Sequence, residues 1–322
     1  MKEGLYTGAS EKSFKSKREL EIENLDKPEF LTPLPSAKNF QYWSERLQNR
    51  QEEYQEAKLG VNSVEIRLPE TSSICFMSDL HIGGADVNYK RIEQEIISIL
   101  QTPNAYAVFL GDAVDGFFFN PAEMEQIEQV PEQYEYIQAM FKALGKEKKV
   151  LAGLSGDHDG WAKKMGLSAY SKFAEETGGA LLEGVAYMTI RIGNQEYKIT
   201  MAHRLPGASM YNKNHPQMRM AKFGSGFGSD IIVSGHNHQK QLAQSTQTGF
   251  GGETNKINYI ALGAYKSTDD YAKKLGFSQQ QPEEMFGISA HLSKDIKRVR
   301  VYDSILEGNN ELYKRTDERD TI

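Results

Sequence analysis

Seven histidines are present in a chain of 322 residues: His81 and His158 fall beside aspartates, His236 and His238 beside each other, and His203 stands apart from both kinds of neighbour. Asp79, Asp112, Asp157 and Asp159 stand next to or between them. Imidazole and carboxylate together suit manganese, iron, zinc or a similar divalent ion. A single buried histidine is usually a core residue satisfied by hydrogen bonds. That reading fails for five of them at successive strand ends.

The elements that must position these residues are legible as short apolar runs. Strands are predicted at 63–68, 73–78, 105–110, 148–154, 185–191, 196–202, 230–234, 257–262, 286–292 and 297–303. Helices are predicted near 88–101, 121–144, 161–177 and 215–223, with Pro131 interrupting or splitting the second. Asp79 and His81 follow the strand at 73–78 with i, i+2 spacing, which places both on one face at its C-terminal end. Asp112 follows 105–110 through one glycine, the Asp157 group follows 148–154, His203 ends 196–202, and His236 and His238 follow 230–234. Ligand sites of α/β sheets gather at such strand ends. The βαβαβ rhythm followed by hairpins predicts an α/β fold of layered sheets flanked by helices.

Three segments are expected: an extended arm and amphipathic helix over 1–62, a catalytic domain over 63–303 and a charged tail over 304–322. Lys, Glu, Ser and Pro dominate residues 1–36, whereas Phe40, Trp43, Leu47, Tyr54 and Leu59 fall near helical spacing. This helix either docks on the catalytic domain or serves, within residues 1–60, as a partner-binding or self-association arm. No apolar run approaches the roughly 20 residues that cross a bilayer, so no membrane span is expected. The start carries no secretory pattern, and the lone Cys75 reads as a buried strand thiol, which together predict a cytoplasmic protein. Net charge is −6, which disfavours nucleic-acid binding through a broad basic surface. It does not exclude a nuclease, because two divalent cations dominate the field at their own site.

The ordered set Asp79-Leu80-His81, Gly111-Asp112, Gly156-Asp157-His158-Asp159, His203 and Gly235-His236-Asn237-His238 resembles the motifs of the calcineurin-like metallophosphoesterases across residues 73–240. The resemblance implies a four-layer α/β/β/α sandwich and two divalent ions, manganese first, with iron, zinc or magnesium as alternatives. It implies that Asp79, His81 and His238 hold one ion, that Asp157, His203 and His236 hold the other, and that Asp112 bridges them. His158 would stabilise the transition state or protonate the leaving oxygen, with Asp159 orienting it. One residue departs from the pattern. Asp157 stands where the family usually has asparagine, and its added charge is expected to tighten the second ion while weakening its pull on phosphate oxygens.

Around these motifs, Phe117, Phe118 and Phe119 either stack a base or plug a strand end, and Asp115 is expected behind the ligands rather than among them. Trp161 is expected to wall the site. Arg204, Asn212, His215 and Arg219 are candidate phosphate donors in a loop that is otherwise structural. That loop resembles one in phage-encoded metallophosphoesterases, which would imply host cytoplasm. The stretch from Asp115 to Glu135 resembles the nuclease-type small subunit of archaeal D-family DNA polymerase, although the chain lacks room for that subunit's separate oligonucleotide-binding domain. The function expected is a phosphodiesterase or nuclease acting on nucleotides or on DNA or RNA ends. A phosphomonoesterase or protein phosphatase is the alternative among enzymes, and a virion-associated or partner-binding protein the alternative outside them.

Overall fold

The computed structural model describes residues 40–57, 62–117, 121–165, 168–209, 211–248, 251–252, 254–267, 276 and 285–320. The chain divides into two units, Met1–Leu59 and Gly60–Ile322. The first is described as a single helix, α1 (Phe40–Ala57), on which Phe40, Trp43 and Leu47 are exposed. The arm expected over 1–36 lies outside the described residues.

In the second unit the strands are β1 (Ser63–Leu68), β2 (Ser72–Met77), β3 (Ala105–Leu110), β4 (Val150–Leu154), β5 (Ala180–Leu182) and β6 (Ala186–Ile192). They continue as β7 (Gln195–Ala202), β8 (Ile231–Ser234), β9 (Gln241–Thr248), β10 (Thr254–Ala261), β11 (Ile288–Leu292) and β12 (Val299–Tyr302). The helices are α2 (Tyr89–Gln101), α3 (Val130–Lys146), α4 (Phe173–Thr177), α5 (His215–Phe223) and α6 (Ile305–Asp320), with 3-10 turns at Pro121–Glu125 and His158–Met165. One six-stranded sheet has the order β12-β11-β2-β3-β4-β5, the other β1-β6-β7-β8-β10-β9.

The alternation of side chains across each strand builds the layers. Ile74 and Phe76 of β2 and Val108 and Leu110 of β3 turn inward to meet Met188, Ile190, Ile199, Met201, Ile231 and Val233 of the other sheet. Cys75, Met77, Ala107 and Phe109 turn outward onto Ile92 and Ile99 of α2 and Ile137 and Phe141 of α3. Ile232, Ile257 and Tyr259 face outward beside Ala221 of α5. The result is the α/β/β/α sandwich. Removing each large apolar side chain from water contributes about 1.5–3 kcal/mol, and the fully buried β2 and β4, with β3 buried but for Tyr106, need cover on both faces for that reason.

Each expected strand is present, β1 and β3 with the expected ends and the others with shifted ones, and the two parallel runs β2-β3-β4 and β7-β8 point their C-terminal ends to one rim. The helix expected over 121–144 is split near Pro131, as expected, into a 3-10 turn at Pro121–Glu125 and α3; Pro131 lies in the first turn of α3, where its missing N–H costs nothing. Two other expectations are corrected. The helix expected over 161–177 resolves into a 3-10 turn and α4. Within the stretch read as a charged tail, α6 buries Ile305 and Leu312. Among the described residues no helix is long and apolar enough to cross a membrane.

Candidate metal centre

The backbone at the rim is unusual before any side chain is considered. Asp79, His81, Asp112, His236 and His238 all have positive φ, between 49° and 69°. This left-handed conformation crowds Cβ against the following carbonyl and costs about 1–2 kcal/mol per residue, so it persists only where the surroundings enforce it. They do so by interlocking the loops. The amide of Asp79 donates to the Gly111 carbonyl at 2.9 Å, that of His81 to Asp112 at 3.1 Å, and that of Gly235 to His203 at 3.0 Å. Side chains join in: the amide of His158 donates to Asp112 Oδ1 at 2.8 Å and that of His236 to Asp79 Oδ2 at 3.0 Å. Two glycines permit this closeness. A Cβ at Gly156 would stand 2.2 Å from Asp112 Oδ1, and one at Gly235 would stand 2.0 Å from Ser78 Oγ.

Donor atoms converge as a result. Asp79, His81 and His238 bring one ligand atom each within 4.8 Å of one another, as do Asp112, His203 and His236, and as do His81, Asp112 and His158. Asp112 thus belongs to two groups. The Nε2 atoms of His81 and His238 face each other at 3.1 Å, His238 Nε2 lies 3.1 Å from Asp79 Oδ1, and His203 Nε2 lies 3.1 Å from Asp112 Oδ2. Asp79 Oδ1 is buried without a hydrogen-bond partner. An unsatisfied carboxylate oxygen and opposed imidazole nitrogens are costly alone and are satisfied together by cations, so the donor set fits divalent metal. The His203 Nδ1–H donates to the Leu110 carbonyl at 2.7 Å, which fixes the tautomer that turns Nε2 toward Asp112.

The charges are strongly interdependent. Burial opposes ionisation of Asp79, but His238, His203 and His81 outweigh it and hold the carboxyl far below its ordinary range. Burial likewise opposes the charged form of His203, yet Asp112 and Asp79 raise its pKa to about 10. His81 goes the other way, lowered to about 4, chiefly by burial.

His158 stands where expected, beside His81 and Asp112, but Asp159 does not orient it. Asp159 is fully enclosed, and its carboxylate accepts from the amides of Gly156 at 2.7 Å and Ala113 at 2.9 Å. It therefore ties two ligand loops together, and burial, with the charge of Asp112, pushes its pKa up to about 7. The partner of His158 is the Asp115 carbonyl, 2.5 Å from Nδ1. Asp115 lies behind the ligands as expected, its Oδ1 3.2 Å from His81 Nδ1. The same oxygen is 2.9 Å from Lys266 Nζ. Lys266 was not among the sequence candidates, because no motif or spacing marks it; its one signal is a cation at the end of the apolar run that follows β10.

Other candidates separate clearly. Phe117 and Trp161 adjoin the site: the Trp161 ring stacks on His158 with centroids 4.0 Å apart, and Phe117 meets His158 edge-on at 5.1 Å. Phe118 and Phe119 lie outside the described residues. Asp157 is half-exposed at the rim, with Oδ2 3.5 Å from His236 Nδ1 and 3.7 Å from the guanidinium of Arg204. Asn212, His215 and Arg219 have local contacts instead. Asn212 Oδ1 accepts from the Asn214 amide at 3.0 Å, His215 Nδ1 bonds the Gly207 carbonyl at 2.5 Å, and the Arg219 stem lies over Gly207. These contacts shape the entry to α5, and among the described residues none links the three to the ligand groups.

Residues 72–240, just over half the chain, match the family model of the calcineurin-like phosphoesterases. No curated protein matches it in sequence. Similar solved structures include a metallophosphoesterase from Sphaerobacter thermophilus, 16% identical, covering 71% of this chain and 87% of that one with a TM-score of 0.34. The calcineurin-like phosphoesterase YfkN from Bacillus subtilis is 15% identical, covering 78% and 98% with a TM-score of 0.34. Vps29 from Chaetomium thermophilum is 14% identical, covering 72% and 92% with a TM-score of 0.33. On its motif-bearing core and the family model that spans it, the chain belongs to the calcineurin-like phosphoesterases, hydrolases of phosphoester bonds that use a dinuclear metal centre.

Proposed function

We propose that the protein is a manganese-dependent phosphodiesterase or nuclease acting on nucleotides or nucleic-acid ends. The observation that carries this reading is the aromatic ledge of Phe117, His158 and Trp161 directly beside the donor groups. Trp161 is 46% exposed, so the ledge offers an open π-face to a base attached to the scissile phosphate. Asp79, His81 and His238 would hold one ion and His203, His236 and Asp157 the other, with Asp112 between them. When bound, two such ions polarise the phosphoryl oxygens and lower the pKa of the attacking water.

The remaining work falls to the chain's own side chains. His158, committed at Nδ1 to the Asp115 carbonyl, leaves Nε2 to hold or deliver a proton at the leaving oxygen. Arg204, two-thirds exposed at the rim, offers its guanidinium to a phosphate oxygen beyond the scissile bond. The buried thiol of Cys75 accords with a cytoplasmic setting. The test is a panel of bis-p-nitrophenyl phosphate, p-nitrophenyl phosphate and labelled single-stranded DNA, each with manganese, magnesium, zinc or chelator. Manganese-dependent turnover of the diester and of DNA is expected; turnover of the monoester alone overturns the assignment.

A second reading concerns the first unit. Phe40 and Leu47 of α1 are 88% and 61% exposed at helical spacing, an apolar stripe of the kind that binds a protein partner or a second copy. Sizing of the full chain against residues 60–322 tests it, and identical elution as monomers would defeat it for self-association.

A further inference from the structure

A buried ionic chain stands behind the donor groups. Lys266 is 5% exposed, and its Nζ lies 2.9 Å from Oδ1 of the fully buried Asp115. That oxygen lies 3.2 Å from His81 Nδ1, while the carbonyl of the same residue receives His158 Nδ1 at 2.5 Å. Asp115 therefore lies against two imidazoles at once, approaching His81 with its carboxylate and bonding His158 with its backbone carbonyl.

Its partner is anchored with equal care. The Tyr265 amide donates to the Asp79 carbonyl at 3.0 Å, the Asn88 amide to Tyr265 at 2.9 Å, and the Ser267 amide to Asp86 at 3.0 Å. Val87 and Lys266 form a β-bridge, so the backbone of Lys266 is woven into the loop that carries Asp79 and His81. A buried lysine is expensive to desolvate and is kept where its geometry is used.

We propose that Lys266 is a positioning residue of the metal centre: by fixing Asp115 it sets the orientation of both His81 and His158. The proposal rests on the metal-ligand reading above. Simple Coulomb repulsion predicts the opposite of positioning. Deleting a cation near the ion pair would tighten binding of Mn²⁺, whereas loss of the brace loosens it.

The chelated full-length protein is titrated with Mn²⁺ as parent, Lys266→Met and Lys266→Arg, and kcat and KM are measured on bis-p-nitrophenyl phosphate. Lys266→Met is expected to weaken binding of one ion by about 10–100-fold, the usual effect of removing a support behind a metal-bound histidine. It is also expected to lower kcat with little change in KM, and Lys266→Arg to recover part of both. Melting of the chelated forms reads any general loss of folding separately; if Lys266→Met does not fold, Lys266→Gln and Asp115→Asn carry the same comparison. Unchanged or tighter Mn²⁺ binding with parental kcat overturns the role of Lys266, and so does an arginine variant no better than methionine. A parent protein that takes up no metal overturns the metal-ligand reading instead.

Discussion

At the scale of single residues, the rim is built from side chains that tolerate left-handed backbone and still ligate. Aspartate and histidine are among the few non-glycine residues enriched there, so the backbone and the chemistry select the same residue types. Asp157 is different. It is held loosely, between His236 and Arg204, and carries a charge that an asparagine would lack. Asp157→Asn is expected to weaken the second Mn²⁺ several-fold while leaving the first unaltered, read by chelator competition. Equal affinities would show that this charge plays no part.

His203 yields a second expectation at the same scale. Without metal its pKa is raised to about 10, so at pH 7 it carries a proton that a metal ligand must lose. Metal uptake should therefore release a proton from His203, and apparent affinity should climb by about tenfold per pH unit below pH 10 on this account. His81, lowered to about 4, is already neutral and contributes none. Calorimetric titration of Mn²⁺ in buffers of different ionisation enthalpy counts the protons directly.

At the scale of elements, what was legible in the sequence follows from what each element buries. β2, β3, β4 and β8 are covered on both faces, and their apolar runs announce both the strands and the catalytic motifs at their ends. β9 escaped because Gln241–Thr248 is a polar edge strand, half-buried at most and paired only with β10. β5 is too short to show a period. α6 escaped because its charged surface outweighs a few inward residues. Lys266 and the true work of Asp159 were invisible because both depend on which loops meet, a property of the assembled rim rather than of any local pattern.

Those few inward residues of α6 matter. Asn309 accepts from Ser73 Oγ at 2.8 Å and donates to Ser98 Oγ at 3.0 Å, closing the outer face of β2 over Cys75. Ending the chain at Asp303 removes Ile305 and Leu312 from the core and should cost about 3–6 kcal/mol for the two side chains, measured by urea unfolding. Cys75 offers a second readout. Burial pushes its thiol up to about 12, so the intact protein should resist Ellman's reagent and the truncated one should react.

At the scale of the whole molecule, residues 60–322 contain both sheets, the three layers of core and every candidate ligand. A chain lacking residues 1–59 is accordingly expected to keep full kcat on bis-p-nitrophenyl phosphate, and a loss beyond about threefold would make the first unit part of the catalytic machinery.

The same scale changes the meaning of the rim. Asp79, Asp112 and His158 come from one sheet, while His203, His236 and His238 come from the other, so the donor set straddles the seam between the layers. It behaves as a vernier. A slip of one sheet against the other by a fraction of an ångström leaves every spacing within a sheet intact and alters only those across the seam. Phe76, Leu110, Met201 and Val233, which lie between the layers and touch no ion, thereby become the parts that calibrate the centre. A methylene lost among them would surface, far from where it was removed, as a metal-binding defect.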